Sequence, residues 1–218
     1  MGLAQKIVVG HHHSHDSGGV ITRPRLYEVF ANAWFLGQRG RVFDRLVAAS
    51  GAAPGERALD IGCGSGYFTQ RIAPVVAPEG AVVGIDPSQP MLDYAAERAP
   101  ANCTFQAAGA EQLPFDDASF DLAVSSLAFH HIPTEHRAEA VREAFRVLRP
   151  GGRLLIADVR PPTIPILNTL ISAAIGHAMA HNISDEMRQL ITHTGFTITG
   201  GGDVPLLHYI TAKRPHHQ

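Results

Sequence analysis

Three glycines directly after a run of apolar residues mark the first place where this sequence could do chemistry. In RALDIGCGSGYFTQR, Gly62, Gly64 and Gly66 are separated by Cys63 and a serine. Glycine lets the backbone turn sharply and approach a ligand closely, and the first amides of the following helix are free to bind one. The spacing is G-x-G-x-G, so Tyr67 stands where the dinucleotide fingerprint needs its third glycine, and no Gly-Lys-Ser/Thr follows for a phosphate loop.

A carboxylate after the next apolar run indicates a nucleoside ligand. VVGIDPS places Asp86 at the carboxyl end of that run. A carboxylate there can accept hydrogen bonds from both hydroxyls of a ribose; the alternative is an ordinary cap at a strand–helix turn. Dinucleotide and adenosyl sites share this feature, so Asp86 does not choose between them.

Histidines supply the groups that could move a proton. SSLAFHHIP ends a further apolar run, and His130 and His131 are candidate general bases, with loop packing as the alternative. HHHSHD, residues 11–16, and the pair His177 and His181 could bind a metal ion. No H-E-x-x-H or C-x-x-C pattern accompanies them, so the sequence predicts no functional metal site.

Composition sets the class of protein that must position these groups. The chain has 218 residues, 45% hydrophobic and 17% charged, which suits one α/β domain with a full core. A net charge of −2 gives no argument for a nucleic-acid partner or an anionic membrane surface. The two cysteines, Cys63 and Cys103, favour a reducing compartment. No signal-peptide pattern begins the sequence, so we expect a cytoplasmic protein without stable membrane insertion.

The elements follow from hydrophobic periodicity. Strands are predicted in ERALDIG, AVVGID, CTFQAA, FDLAVSSL and RLLIAD, alternating with helices, which indicates a mostly parallel, doubly wound sheet. The helix that starts at Thr134 is predicted to end at the Pro-Gly-Gly of 150–152, and Ser88 and Ser184 are predicted N-caps. TITGGG and LLHYITAKR predict a closing antiparallel pair.

The same hydrophobic pattern divides the chain into three parts. Residues 1–22 are predicted to be a flexible His-rich leader, 23–50 two N-terminal cap helices, and 51–218 the main domain. Within that domain, 161–183 carries an apolar stripe at helical spacing. This stripe could cover the sheet, form a homodimer face, or act as a lid over an apolar substrate. Tyr27, Trp34 and Phe35 are candidates to line the pocket, with core packing as the alternative.

The order of the motifs resembles a known family. LDIGCGSGYFT, VVGIDPSQPML, AEQLPFDDASFDLAVSSLAFHHI and EAFRVLRPGGRLLIAD are similar to the successive motifs of the class I S-adenosylmethionine-dependent methyltransferases. They are most similar to the branch that includes the ubiquinone/menaquinone-biosynthesis type and many small-molecule enzymes. The resemblance implies a Rossmann-like, doubly wound seven-stranded sheet with an antiparallel last strand in an α/β/α sandwich. It also implies S-adenosyl-L-methionine as the cofactor.

Roles for individual residues follow from this resemblance. It implies that Gly62, Cys63, Gly64 and Gly66 lie under the methionine part of the cofactor, and that Asp60 orients this loop and reaches the cofactor's amino group. The adenosine part would lie against Asp86 on the ribose, Pro87 and Met91 beside the adenine, and Ala110 and Glu111 at its edge, with packing in the helix core as the alternative for Met91. Ser126 is a further cofactor-binding candidate, at the strand end where the acceptor should meet the methyl group. At the family's usual adenine-binding Asp this chain has Gly109, so we expect one hydrogen bond to be lost, of order 1 kcal/mol.

The expected function is in-line methyl transfer to a small, hydrophobic molecule at oxygen or carbon. Sequence alone leaves open a small amine or a protein residue as the methyl acceptor. From other classes, a dinucleotide-dependent oxidoreductase or a non-catalytic adenosyl-binding module stays possible. The lack of the third fingerprint glycine counts against the oxidoreductase.

Overall fold

In the residues that can be described, helices and strands alternate after two N-terminal helices. The computed structural model describes residues 8–9, 20–21, 23–160 and 183–216. The strands are β1 (Val8–Val9), β2 (Val20–Ile21), β3 (Arg57–Ile61), β4 (Ala81–Asp86), β5 (Cys103–Ala107), β6 (Phe120–Ser126), β7 (Leu148–Val159), β8 (Thr197–Val204) and β9 (Leu207–Lys213). The helices are α1 (Pro24–Trp34), α2 (Arg39–Ser50), α3 (Tyr67–Val76), α4 (Gln89–Ala96), α5 (Thr134–Val147) and α6 (Ile183–His193), with a 3-10 turn at Phe129–His131.

Seven strands form one sheet in the order β5-β4-β3-β6-β7-β9-β8. The first five strands in this order are parallel to one another, and β9 is antiparallel to both β7 and β8. This confirms the predicted Rossmann-like sheet with an antiparallel last strand. β1 and β2 form a separate two-residue antiparallel pair within the predicted leader.

Helices cover both faces of the sheet. On β7, Leu154 and Ile156 pack with α5 and α6, whereas Leu155 and Ala157 pack with α2 and α3. Alternate residues of a strand point to opposite faces, so a sheet covered on both faces needs strands that are apolar throughout. The carboxyl ends of the parallel strands stay uncovered by these layers and are available for a site.

Two predicted helix boundaries are wrong. Helix α5 ends at Val147, before the Pro-Gly-Gly, because the fully buried Leu148 opens β7 and pairs with Phe120. Arg149 precedes a proline, a position that disfavours the helical conformation. Ser184 lies inside the first turn of α6, which begins at Ile183. The N-cap position predicted at Ser88 is confirmed.

Several predictions fall on residues outside those the structure describes. These are the insertion helix, whose residues 161–182 are not described, the histidines of 11–16, and the pair His177 and His181. No helix in the described part of the chain is both long enough and apolar enough to cross a membrane. Within 23–160 and 183–216, no three metal-ligating side chains come together.

Candidate active site

A cavity of about 360 Å³ opens at the carboxyl ends of β3, β4 and β6. The neighbours of β3 are β4 on one side and β6 on the other, so the order of strands reverses at this point. In open α/β sheets, ligands bind in the crevice at this reversal. The cavity wall is formed by the loop after β3, the ends of β4, β5 and β6, and residues of the two N-terminal helices.

The glycine loop has the backbone conformation that its composition predicts. Gly62, Gly64 and Gly66 have φ angles of +72°, +52° and +75°, in the left-handed region that favours glycine. A Cβ at position 62 would also overlap the Cβ of Ala128. Cys63 is anchored because its backbone N–H donates to a carbonyl of β4 at 2.8 Å. Burial raises the pKa of its thiol, so Cys63 forms an apolar part of the wall.

Asp86 ends β4 and faces the cavity. One carboxylate oxygen accepts a hydrogen bond from the Gly64 backbone N–H at 2.9 Å, and the other accepts one from the Ser88 N–H at 2.8 Å. Burial raises the pKa of this carboxyl, and the two N–H donors oppose the rise. Asp86 therefore tethers the glycine loop, a role that the sequence did not predict.

Asp60 lies beneath the loop and outside the cavity wall. Its Oδ2 accepts a hydrogen bond from the Thr69 hydroxyl at 2.7 Å. Its Oδ1 is buried and has no partner among the described residues. Burial raises the pKa of Asp60 to about 7, against the effect of Thr69. The contact with Thr69 ties the end of β3 to α3, on either side of the loop.

The cavity beyond Asp86 is lined by Pro87, Met91, Ala110 and Glu111. The family resemblance implies an adenine pocket at this place. Met91 is also fully buried, so it packs in the core while it lines the cavity. At Gly109, an added Cβ would overlap the carboxylate of Glu111. The Glu111 carboxylate therefore fills the space beside Gly109. The identity of residue 109 alone does not reveal this replacement.

The two histidines have different surroundings. His131 lines the cavity, whereas His130 is buried behind it. The Nδ1 of His130 lies 2.6 Å from one oxygen of Asp158, and its backbone N–H donates to the other at 3.0 Å. Burial opposes ionisation of Asp158, but the contacts with His130 prevail and lower the pKa of this carboxyl.

His131 lies against His130, with 4.0 Å between the ring centroids. His131 is exposed at the rim of the cavity, but partial loss of water around its ring, and then the proximity of His130, lower its pKa to about 4. His131 is therefore neutral at pH 7. Ser126 joins it in the wall, whereas Ser125 and Phe129 are buried away from the cavity.

The N-terminal helices contribute residues that sequence reasoning partly missed. Tyr27 lines the cavity, as predicted, together with Arg39 and Phe43, which were not predicted. Phe35 is a core residue, 3% exposed, and Trp34 packs on the same core, so the alternative interpretation holds for both.

A polar network joins these helices to the glycine loop. Glu28 accepts a hydrogen bond from the Ser65 hydroxyl at 2.5 Å through one oxygen and contacts Arg39 Nη1 at 2.7 Å through the other. The partners are far apart in the sequence, and no local pattern marks them. Only the packing of α1 over the loop brings them together.

Comparison with known proteins shows what the central region is similar to. Residues 58–152 match the family model described as a methyltransferase domain. Among curated proteins, the chain is similar to the ubiquinone/menaquinone biosynthesis C-methyltransferase of Ectopseudomonas mendocina. The two are 40% identical over 126 residues, which cover 56% of this chain and 48% of that protein. The chain thus spans about half the length of the curated relatives that it matches.

Solved structures share the fold. A SAM dependent methyltransferase from Aquifex aeolicus superposes with a TM-score of 0.72 at 18% identity, covering 88% of this chain and 98% of that one. The cyclase SpnF superposes with a TM-score of 0.65 at 21% identity, covering 81% of each chain. One fold thus occurs in proteins named for different reactions, so the reaction has to be argued from the site.

Proposed function

We propose that this chain, which carries a class I S-adenosylmethionine-dependent methyltransferase domain in residues 58–152, transfers a methyl group to a small, hydrophobic molecule at oxygen or carbon. The cofactor is S-adenosyl-L-methionine. A single observation carries the proposal: one cavity joins the glycine loop, Asp86 and His131. A nucleoside-binding end and a proton-accepting group therefore face the same space.

The adenosine end of the cavity fits the cofactor. In the proposal, Asp86 accepts hydrogen bonds from the ribose hydroxyls. Pro87 and Met91 form the apolar wall for adenine, with Ala110 at its edge. The Glu111 carboxylate beside Gly109 then accepts from the exocyclic amine, so the hydrogen bond that the sequence counted as lost is made from another residue.

The methionine part of the cofactor would lie over Gly62, Gly64 and Gly66. A Cβ at position 62 would overlap Ala128, so glycine lets the loop pack closely against the segment that follows β6. The cavity side of the loop is then left to the ligand. Asp60 keeps one buried oxygen without a partner in the described chain. We assign that oxygen to the cofactor's ammonium group, directly or through a water molecule.

The bound cofactor supplies a methyl group on a sulfonium, so its leaving group needs no acid. The protein's task is to align the acceptor with this carbon and to exclude water. The acceptor's electron pair forms the new bond to the methyl carbon while the carbon–sulfur bond breaks, and that bond's electrons stay on sulfur. Ser126 and His131 form the wall on the acceptor side.

His131 takes the acceptor's proton late in this reaction. With a pKa of about 4 it is neutral but weakly basic at pH 7. A phenolic hydroxyl has a pKa of about 10, so transfer of its proton to this ring before methyl transfer is opposed by several kcal/mol. Once an oxygen or ring carbon carries both the methyl group and the proton, it is strongly acidic, and a weak base suffices. His130, held by Asp158, positions the His131 ring.

Calorimetric titration and a transfer assay test the proposal. We expect S-adenosylhomocysteine to bind with micromolar affinity and NADH not to bind. With a labelled methyl group on the cofactor, we expect label in hydrophobic phenols and electron-rich rings, and little in polar amines. Binding of NADH alone contradicts the family's cofactor here. Label confined to amines or to protein supports the nitrogen-methylating alternative instead.

We also make proposals about the N-terminal helices, residues 161–183, the oligomeric state and the location of the protein. We infer that the 23–50 helices cap the site, supported by the cavity contacts of Tyr27 and Arg39, and that 161–183 acts as a substrate lid. A homodimer and a cytoplasmic location are also inferred, the latter from the two free cysteines.

A further inference from the structure

A buried cation lies in the cavity wall next to the glycine loop. Arg39, the first residue of α2, is only 4% exposed. It is the only arginine or lysine among the described residues that line the cavity. Removing a guanidinium from water costs several kcal/mol unless charges and hydrogen bonds replace the lost hydration. Its surroundings therefore show what Arg39 is placed to bind.

The known partners of Arg39 use only part of its hydrogen-bonding capacity. Nη1 donates to Glu28 at 2.7 Å, and the guanidinium lies 3.7 Å from the centroid of the Tyr67 ring. The Nε–H is buried and has no acceptor in the described chain. Arginine carries five N–H donors in a planar fork that matches a carboxylate through two parallel hydrogen bonds. The Nε–H, unpaired among the residues described, marks the edge of the fork where such a partner would be satisfied.

The charges around the cavity leave one place for an anion. Asp86 and Glu111 line the wall and Asp60 lies beneath the loop, so most of the site favours positive ligand groups. A ligand carboxylate would be repelled there, and only the Arg39 end offers it a positive partner. Glu28 satisfies Nη1 alone, and its second oxygen is occupied by the Ser65 hydroxyl.

We propose that the Nε edge of Arg39 binds the α-carboxylate of the cofactor's amino-acid end, and that Glu28 and Ser65 hold the guanidinium against the glycine loop for this contact. The inference rests on the proposed function. It makes α1 and α2 part of the cofactor site and has a consequence for specificity: the site distinguishes an adenosyl amino acid from the same nucleoside without its carboxylate.

The test compares two ligands that differ only in the carboxylate: S-adenosylhomocysteine and its decarboxylated form, S-adenosyl-3-thiopropylamine. Both are titrated into the wild-type chain, Arg39→Gln and Arg71→Gln. Arg71 is the matched control, because it lies over the same Tyr67 ring at 5.0 Å and bonds its hydroxyl, but is not in the cavity wall. Thermal unfolding checks that each variant is folded.

We expect Arg39→Gln to weaken S-adenosylhomocysteine by about 10- to 100-fold, the range for a hydrogen bond between charged groups. The decarboxylated compound should change less than about threefold on the same scale, and Arg71→Gln should change neither. Where Arg39→Gln does not fold, Arg39→Lys keeps the charge, loses the Nε donor, and should give a smaller loss of the same selectivity.

Equal weakening of both ligands by Arg39→Gln overturns the inference, because it assigns Arg39 a purely structural role. So does a wild type that binds the two ligands equally. These results leave the proposed function standing. If the wild type binds neither compound, the proposed function fails, and the inference fails with it.

Discussion

The two ends of the cavity are built in different ways. The cofactor end consists of the glycine loop and Asp86, which follow the adjacent parallel strands β3 and β4. The acceptor end combines the His130–His131 pair with Asp158, which comes from a separate part of the chain. Local backbone conformation shapes the first end, whereas packing between separate elements shapes the second.

This difference predicts how substitutions will affect each end. At the cofactor end, three left-handed glycines and two backbone N–H contacts to Asp86 hold a loop in place. Substitutions there should act through geometry. At the acceptor end, the Asp158–His130 contact is buried, and the lowered pKa of His131 depends on partial loss of water and on the neighbouring His130 ring. Substitutions there should act through protonation.

Gly62→Ala has the largest expected effect and tests the geometric side. The added Cβ overlaps Ala128, and a left-handed φ costs a residue with a Cβ about 1–2 kcal/mol. We expect the free energy of unfolding to fall by about 2–4 kcal/mol, with loss of S-adenosylhomocysteine binding. Denaturant unfolding and calorimetry measure the two. Gly55→Ala is the control, since its φ is +81° but no atom lies within 4 Å of the added Cβ. Equal losses in both variants would contradict the packing argument.

Asp86→Asn separates the two roles of this residue. The amide keeps the shape but loses the charge, and its NH₂ group faces an N–H donor of the loop or of Ser88. We expect S-adenosylhomocysteine to bind about 10- to 100-fold more weakly. Asp93→Asn, on the exposed side of α4, is the control and should bind as the wild type does. Unchanged affinity in Asp86→Asn would remove Asp86 from the ribose site.

The protonation of His131 tests the acceptor end. Its pKa is about 4 in the folded protein, against 6.5 ordinarily. Above pH 6.5 the ring is neutral in both states. Between these values the unfolded chain binds a proton that the folded chain does not, so this group lowers stability as the pH falls. We expect His131→Gln to lose less unfolding free energy between about pH 7 and pH 5 than wild type.

Denaturant unfolding across this pH range measures the effect. The control is His136→Gln, a histidine on α5 that lies outside the cavity wall, which should follow the wild-type curve. If His131→Gln also follows the wild-type curve, the ring is as well hydrated in the folded chain as in the unfolded one.

Substitution of Glu111 has the smallest expected effect. It tests whether each contact at the cofactor end depends on the residue that stands at the motif position. We expect Glu111→Ala to weaken S-adenosylhomocysteine about fivefold, equivalent to about 1 kcal/mol. In that background, Gly109→Asp should restore affinity, because the carboxylate returns from the neighbouring position. Gly109→Asp alone should bring no gain, since it forces two carboxylates together. Additive effects of the two substitutions would contradict replacement of one carboxylate by the other.

Sequence reasoning was most successful where a residue's role depends on its near neighbours. The glycine conformations, the position of Asp86 at the end of β4 and the alternation of strands with helices all follow from short-range patterns. It failed at the end of α5, where the burial of Leu148 overrode the Pro-Gly-Gly signal. It also treated His130 and His131 alike, because nothing in the sequence indicates that Asp158 lies beside only one of them.

The sequence by itself determined the class of fold and the glycine loop, because these depend on hydrophobic periodicity and on motifs of a few consecutive residues. The adenosyl cofactor was implied by the resemblance of those motifs to a known family. Only the tertiary structure decided that Arg39 is buried beside the loop, that Glu111 fills the space at Gly109 and that His131 faces the cavity. Each of these rests on burial and on contacts between elements. Both quantities exist only once the chain has folded, so no local pattern encodes them.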